Sequence, residues 1–161
     1  MQQSTLESVQ EFFFDGMLAG WCGTGSPKGD IAELPGSRKF TFISGEFQMV
    51  DCFMVNSHSN KSSGMTIIFY RDQPVWMMHY GGWYDEKAIP FLKTCLQKAY
   101  KKRQFLGGRG PMLARGRGLF YQNQPRSSGF DDFSGEEWIS GPTRFFGRHW
   151  YHGMSLLKDV K

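Results

Sequence analysis

Much of the chain matches itself at one fixed spacing. At an offset of 71 positions, glycines fall on glycines and apolar residues on apolar residues without a gap. Such a pattern is typical of two copies of one supersecondary unit. The offset therefore predicts an internal repeat, over about residues 4–83 and 88–153, and an architecture with pseudo-twofold symmetry. The matched pairs include Ser63-Gly64 with Ser134-Gly135, Ile68 with Ile139, Tyr80 with Tyr151 and Gly82 with Gly153.

A helix is predicted at the start of each copy. Residues 4–19 place apolar side chains at i, i+3 and i+4 spacings, which is the pattern of an amphipathic helix. Ser4 and Glu7 have the spacing of a capping box, in which each side chain bonds the other residue's backbone amide. A second helix is expected at about 88–103, and it should begin at once because Pro90 is tolerated only in a first turn.

Strand patterns fill the rest of each copy. Residues 38–83 read as an antiparallel meander with a polar loop at 56–63, and the second copy has its polar loop at 123–129. Two helices and two meanders predict an α+β fold, with the helices packed on one face of an antiparallel sheet. The expected strands are 47–55, 65–70 and 75–80 in the first copy, and 112–122, 136–140 and 144–152 in the second.

The chain of 161 residues is expected to form a single domain, 1–161, with a core or cavity lined by aromatic rings. Cys22, Cys52 and Cys95 are widely spaced and include no C-x-x-C pair, so no structural zinc site is indicated. No hydrolase, phosphate-loop or zinc-protease motif is present, and no cofactor is expected. The chain has no secretory pattern and no apolar run of membrane-spanning length, which favours a soluble cytoplasmic protein with no membrane partner.

The stretch from Lys98 to Arg117 is the strongest charge feature. It holds seven basic residues and no acidic one, with glycines in between. Such a stretch is compatible with contacts to a nucleic-acid backbone or another anion. It also fits the basic end and solvated face of a helix. The second interpretation is favoured, because no nucleic-acid-binding motif accompanies the basic run.

Three histidines lie near the ends of the two last predicted strands. His79 and His152 occupy counterpart segments, so their rings are expected to approach each other if the two copies face across an axis. His149 and His152 are three residues apart, and alternation along a strand puts them on opposite faces. This spacing argues against a metal site. A hydrogen-bonded structural role is the default for each histidine, and acid–base use is the alternative.

Alternation also separates the two neighbouring acids Glu136 and Glu137, of which at most one can face the core. A core-facing glutamate among aromatic rings needs a raised pKa or an arginine partner, for which Arg144 and Arg148 are the candidates. A surface carboxylate at a hairpin is the favoured alternative. Trp76 and Trp150 are expected in half-exposed positions, because indole prefers a partner for its N–H.

These observations favour a non-enzymatic binding domain with an aromatic cleft for a small ligand or a protein partner. Two alternatives stay open: an acid–base enzyme with a His/Glu cleft, and a nucleic-acid binder acting through residues 98–117. Any chemistry is expected in the second copy, which alone has the acidic pair. The expected ligand-binding residues are Trp76, His79, Tyr80, Arg109, Glu136, Tyr151 and His152.

Short motifs in a fixed order give the chain a family resemblance. They are the segments 74–81 (PVWMMHYG), 91–93 (FLK), 109–111 (RGP), 133–139 (FSGEEWI) and 151–153 (YHG). In this order they resemble a small bacterial family of domains of unknown function, the 5680-type. Some members follow a helix-turn-helix domain, which implies a sensing or binding role, and the resemblance implies no established activity. This chain departs from the family pattern at Met65-Thr66, where the family tends to be acidic, and at Met154, where it has glycine.

Overall fold

The computed structural model describes residues 4–23, 25 and 29–158. Over these residues the chain forms two α-helices and eight strands, which confirms the α+β class. The helices are α1 (Leu6–Ala19) and α2 (Ile89–Lys101). The strands are β1 (Ser37–Ser44), β2 (Phe47–Val55), β3 (Lys61–Tyr70), β4 (Gln73–Tyr84), β5 (Leu113–Gly116), β6 (Leu119–Ser128), β7 (Asp132–Ser140) and β8 (Phe145–Ser155).

All eight strands belong to one antiparallel sheet. The spatial order is β1-β2-β3-β4-β8-β7-β6-β5, so the chain runs from one edge to the centre, and then from the other edge back to the centre. The last strand of each run meets its counterpart at the middle of the sheet. There Tyr80 of β4 is the direct partner of Tyr151 of β8, and His79 is the partner of His152.

The core lies between the helices and one face of the sheet, here called the inner face. The apolar stripe of α1 buries Phe13 completely, against the fully buried Trp76 of β4. In α2, the apolar stripe buries Leu92 and Leu96. Each buried aromatic ring removes a large apolar area from water, so this layer supplies most of the driving force for folding. Neither of the two described α-helices covers the opposite, outer face of the sheet.

Both helices begin slightly differently from the sequence expectation. The N-cap of α1 is Thr5, and the reciprocal capping bonds join Thr5 to Ser8 rather than Ser4 to Glu7, because the cap lies one residue later than expected. Before α2, residues 86–88 form a single 3₁₀ turn capped by the side chain of Asp85. Pro90 then lies in the first turn of α2, as predicted.

The strands are longer than the apolar patterns indicate. The predicted loop at 123–129 is wrong, because β6 continues to Ser128 and its polar residues pair with β7. A register shift between Pro125 and Ser127 accommodates the proline, which has no N–H for the ladder. The predicted strand 112–122 is two strands, β5 and β6, joined by a turn in which Arg117 and Gly118 both have positive φ.

Candidate functional site

A cavity of about 260 Å³ opens on the inner face, between the two helices and the first four strands. Its walls are mostly apolar, and its floor carries polar side chains from strands β2, β4 and β8. The side chains that form the apolar walls include Met17, Trp21, Phe40, Phe53, Ile89 and Leu92. An apolar pocket with a few convergent polar groups is the usual form of a small-molecule site.

Asp51 is the carboxyl group of this floor. It lies on β2 between the inward residues Met49 and Phe53, so the pleat points it at the cavity. Its Oδ1 accepts hydrogen bonds from Thr66 Oγ1 at 2.9 Å and Tyr80 Oη at 2.7 Å. Burial raises the pKa of Asp51, although the two hydrogen bonds and the charge of Arg109 act in the opposite direction.

A buried ion pair of the second half of the chain lies beside the cavity. Glu137 of β7 is completely buried, and its Oε1 lies 3.6 Å from Nε of Arg109, a residue of the segment between α2 and β5. The carboxylate also accepts hydrogen bonds from Tyr84 Oη at 2.8 Å and Tyr121 Oη at 2.5 Å. Burial by itself lowers the pKa of Arg109, but attraction to Glu137 outweighs it, so the guanidinium stays charged.

His149 completes the polar floor. Arg109 Nη1 lies 2.8 Å from His149 Nδ1. Because arginine has only donors, Nδ1 must accept, and the proton of the neutral imidazole is on Nε2. Burial, with repulsion from Arg109, lowers the pKa of His149 to about 2, so the ring is neutral at physiological pH. Its buried Nε2 has no hydrogen-bond partner among the described residues.

Glycines explain how Arg109 reaches this position. The segment around it lies directly on two tyrosine rings of the sheet. A Cβ at Gly108 would come within 2.5 Å of the Tyr151 ring and hydroxyl, and one at Gly110 within 2.4 Å of the Tyr121 hydroxyl. Only glycine allows such a close approach of the backbone. The backbone of residues 108–110 can therefore pack directly on the sheet, where the guanidinium of Arg109 contacts Glu137 and His149.

The same segment covers the inner face of the second half of the sheet. Asn123 Nδ2 donates to the carbonyls of Leu106 and Gly110, each at 3.4 Å, and Asn123 Oδ1 accepts from Tyr151 Oη. Most residues that line the cavity come from the first half of the chain, whereas Arg109 and His149 of its polar floor come from the second.

The residues expected at a single site from the sequence lie in four places. Tyr80 and Arg109 line the cavity. Tyr151 is buried on the inner face, under the segment that covers the second half. Trp76 is fully buried in the core, and the half-exposed position expected for it is wrong. The reason is that its Nε1 donates to the carbonyl of Phe130, so the indole needs no water.

His79, His152 and Glu136 lie on the outer face. The imidazoles of His79 and His152 stack with centroids 5.0 Å apart, so the predicted approach of these two rings is confirmed. Glu136 forms an ion pair with Arg148, whose guanidinium lies 4.8 Å from the centroid of the half-exposed Trp150 ring. The outer face therefore carries a second, open cluster of polar and aromatic side chains.

The two glutamates separate as alternation predicts, but the partner of the buried one is different. Glu137 faces inward and pairs with Arg109, whereas Arg144 pairs with Asp85 and Arg148 with Glu136. Arg109 is distant from both glutamates in the sequence, and only the glycines beside it hint at its position. Asp51 was also missed. The available signal was a lone acid at an inward position of an apolar strand.

The basic stretch 98–117 does not form one surface. Arg103 pairs with Asp15 and Glu11 on α1, and Arg109 is buried. Arg115 lies over the ring of Phe120, 5.1 Å from its centroid. A continuous phosphate-binding track would require these cations to be free on one side of the molecule.

No helix in the described part of the chain is long and apolar enough to cross a membrane. Within residues 4–23, 25 and 29–158, no three acidic, histidine or cysteine side chains come together in an arrangement that would hold a metal ion. All three cysteines are free thiols, and Cys22 and Cys95 are buried.

Comparison with known proteins identifies a family but no characterised relative. Neither a search of curated proteins nor a search of solved structures found a match to the chain. The family model described as "Domain of unknown function (DUF5680)" matches residues 56–156, which include β3 to β8, α2 and the segment that carries Arg109. Because this match covers more than half of the chain, the protein belongs to that family.

Proposed function

We propose that the protein is a binding domain for a small molecule, and that its site is the cavity beneath α1 and α2. The observation that carries this proposal is the floor of the cavity, where buried polar groups remain only partly bonded. His149 Nε2 has no partner in the described structure, and Asp51, which lines the cavity, accepts both of its described side-chain hydrogen bonds on Oδ1. Buried polar groups are normally satisfied, and a ligand would satisfy these.

The size of the cavity favours a small molecule over a protein segment. Its volume of about 260 Å³ lies just under the range of roughly 300–1,000 Å³ for drug-sized ligands. A ligand of metabolite size would fill it. A helix or strand of a partner would need a longer groove than the space between α1, α2 and the sheet provides.

The histidine and the tyrosines of the cavity suit binding better than acid–base catalysis. A general base works best when its pKa lies near the operating pH. The pKa of His149 is lowered to about 2, mainly by burial, and burial also raises the pKa of Tyr80 and Tyr84 well above the usual value. His79 and His152, the other candidates, lie on the outer face and have no carboxylate within hydrogen-bond distance among the described contacts.

We also propose that the sheet arose by duplication of a four-stranded unit. β3 and β7 begin 71 positions apart, and β4 and β8 end 71 positions apart. Tyr80 bonds Asp51 just as its counterpart Tyr151 bonds Asn123. In this account, the segment around Arg109 fills the inner face of one copy and leaves the cavity in the other.

The proposal is tested by thermal-shift screening of a metabolite library, with cavity-filling as the specificity control. Ile89→Trp places a large ring at the cavity wall, whereas Ile43→Trp makes the same change at a position that is 65% exposed. We expect hits on the wild type and Ile43→Trp that are lost with Ile89→Trp. A library without hits, or hits that bind Ile89→Trp equally well, would contradict a binding function for this cavity.

A further inference from the structure

We propose, on the basis of the binding function proposed above, that the ligand is an uncharged molecule with an apolar ring body, a hydrogen-bond acceptor for His149 and a separate hydroxyl or N–H donor for Asp51. Two residues that line the cavity each keep one atom without a described hydrogen bond, the donor Nε2 of His149 and the acceptor Oδ2 of Asp51. The ligand class follows from these two groups and from the charges around them.

The ligand needs a hydrogen-bond acceptor because of His149. Its Nδ1 is occupied by Arg109, which fixes the proton on Nε2. The histidine is only 4% exposed, and its Nε2 has no partner among the described residues although the ring lines the cavity. A buried donor without an acceptor is unfavourable, so a carbonyl or ether oxygen at this position would bind with a net gain.

The ligand needs a hydrogen-bond donor because of Asp51. Thr66 and Tyr80 both bond Oδ1, and in the described part of the chain Oδ2 receives no hydrogen bond. No cation of the described residues lies within ion-pair distance of this carboxyl group. A ligand hydroxyl or N–H can donate to Oδ2 without disturbing the two existing bonds.

The charges of the cavity argue against an ionic ligand. The guanidinium of Arg109 is already paired with Glu137, so it offers no free charge to an anion, and Asp51 would repel one. Lys61 lies at the rim but is exposed, where water screens its charge. A cation would meet Arg109, whose guanidinium lies 5.1 Å from the centroid of the Tyr80 ring, and an ammonium group would leave His149 unbonded.

Tyr80 sets the two polar groups of the ligand apart. Its hydroxyl binds Asp51, and its ring is nearly parallel to the imidazole of His149, with centroids 6.3 Å apart and an angle of 13°. Asp51 therefore contacts the hydroxyl end of Tyr80, whereas His149 lies alongside its ring. We expect a donor and an acceptor on a single aromatic ring to reach both groups, with the apolar walls against the ring itself.

Hydroxyacetophenones provide probes for this pattern. We would measure dissociation constants by calorimetry at pH 6.5 for 3- and 4-hydroxyacetophenone, which carry both groups. The matched probes are 4-ethylphenol without the acceptor, 4-methylacetophenone without the donor, and 4-hydroxybenzoate as an anion. We expect one hydroxyacetophenone to bind at least tenfold more tightly than each matched probe. Equal binding of all probes, tightest binding of the benzoate, or no binding of either hydroxyacetophenone would overturn the proposed ligand class.

Two variants assign the acceptor contact. His149→Phe should weaken the better hydroxyacetophenone at least tenfold and leave 4-ethylphenol unchanged. His152→Phe makes the same substitution on the outer face and should change neither. If His149→Phe does not fold, the wild-type probe series still decides the question. If these probes fail while library hits remain sensitive to Ile89→Trp, the ligand class is wrong and the binding function stands; if both fail, the binding function falls too.

Discussion

Replacing Glu137 with glutamine should destabilise the protein strongly, because it leaves the buried charge of Arg109 without a partner. Two unit charges 3.6 Å apart attract by about 4–5 kcal/mol at an effective dielectric constant near 20. Breaking a buried pair by removing one partner costs roughly 3–5 kcal/mol. Glutamine also brings an amide group toward the hydroxyls of Tyr84 and Tyr121, which now donate to the carboxylate.

The neighbouring residue provides the matched control. Glu136→Gln makes the same change one position earlier, on the outer face, where the partner Arg148 is 45% exposed. Exposed pairs contribute at most about 1 kcal/mol. The assay is urea unfolding followed by tryptophan fluorescence, at pH 7 and moderate salt. The expected difference between the two variants is therefore about 2–4 kcal/mol in the free energy of unfolding.

The double variant Arg109→Met, Glu137→Gln tests the cause of this loss. Because it removes both charges, it should be more stable than either single variant, with a coupling energy of at least about 1.5 kcal/mol. It should also be recoverable if Glu137→Gln is too unstable to purify. A loss of under 1 kcal/mol for Glu137→Gln, or simple additivity in the cycle, would refute the buried ion pair as the cause.

Three further predictions concern single side chains. The pKa of His149 is about 2 in the fold and about 6.5 in the unfolded chain, so the free energy of unfolding should fall as the pH drops below about 6.5. In urea unfolding, the wild type should lose about 2 kcal/mol more than His149→Phe between pH 7 and pH 5. An unchanged pH dependence in the variant would contradict this. Tyr100→Phe should raise the stability by about 1 kcal/mol in the same assay, since the buried hydroxyl has no hydrogen-bond partner among the described residues; a clear loss would mean that it has one. Iodoacetamide at pH 8, followed by mass spectrometry, should label the partly exposed Cys52 before Cys95, because burial raises the pKa of Cys95 to about 12, and the reverse order would show that the Cys95 region opens readily.

Local patterns along the chain were sufficient to predict the two helices and to predict which strand residues lie on opposite faces. The apolar spacing in α1 and the proline in the first turn of α2 predicted both helices. Alternation correctly separated Glu136 from Glu137 and His149 from His152. It missed the ends of β3 and β6, where polar residues continue the strands, because backbone pairing with a neighbouring strand does not require apolar side chains.

The predicted site combined residues that the fold separates. Tyr80 and Arg109 line the cavity, whereas His79, His152 and Glu136 lie on the other side of the sheet. Neighbours in one motif, such as His79 and Tyr80, lie on opposite faces because the side chains of a strand alternate. Nearness along a strand therefore says nothing about which neighbours share a site.

The sequence by itself determined the α+β class, the two helices and the relative faces of neighbouring strand residues, because each of these depends on spacing within one element. The tertiary structure alone decided which face the helices cover, that Arg109 rather than Arg144 or Arg148 neutralises Glu137, and that the cavity lies in the first half of the sheet. These outcomes depend on contacts between residues far apart in the chain. The segment around Arg109 can occupy only one half, so the other half retains the space beside Asp51 and Tyr80.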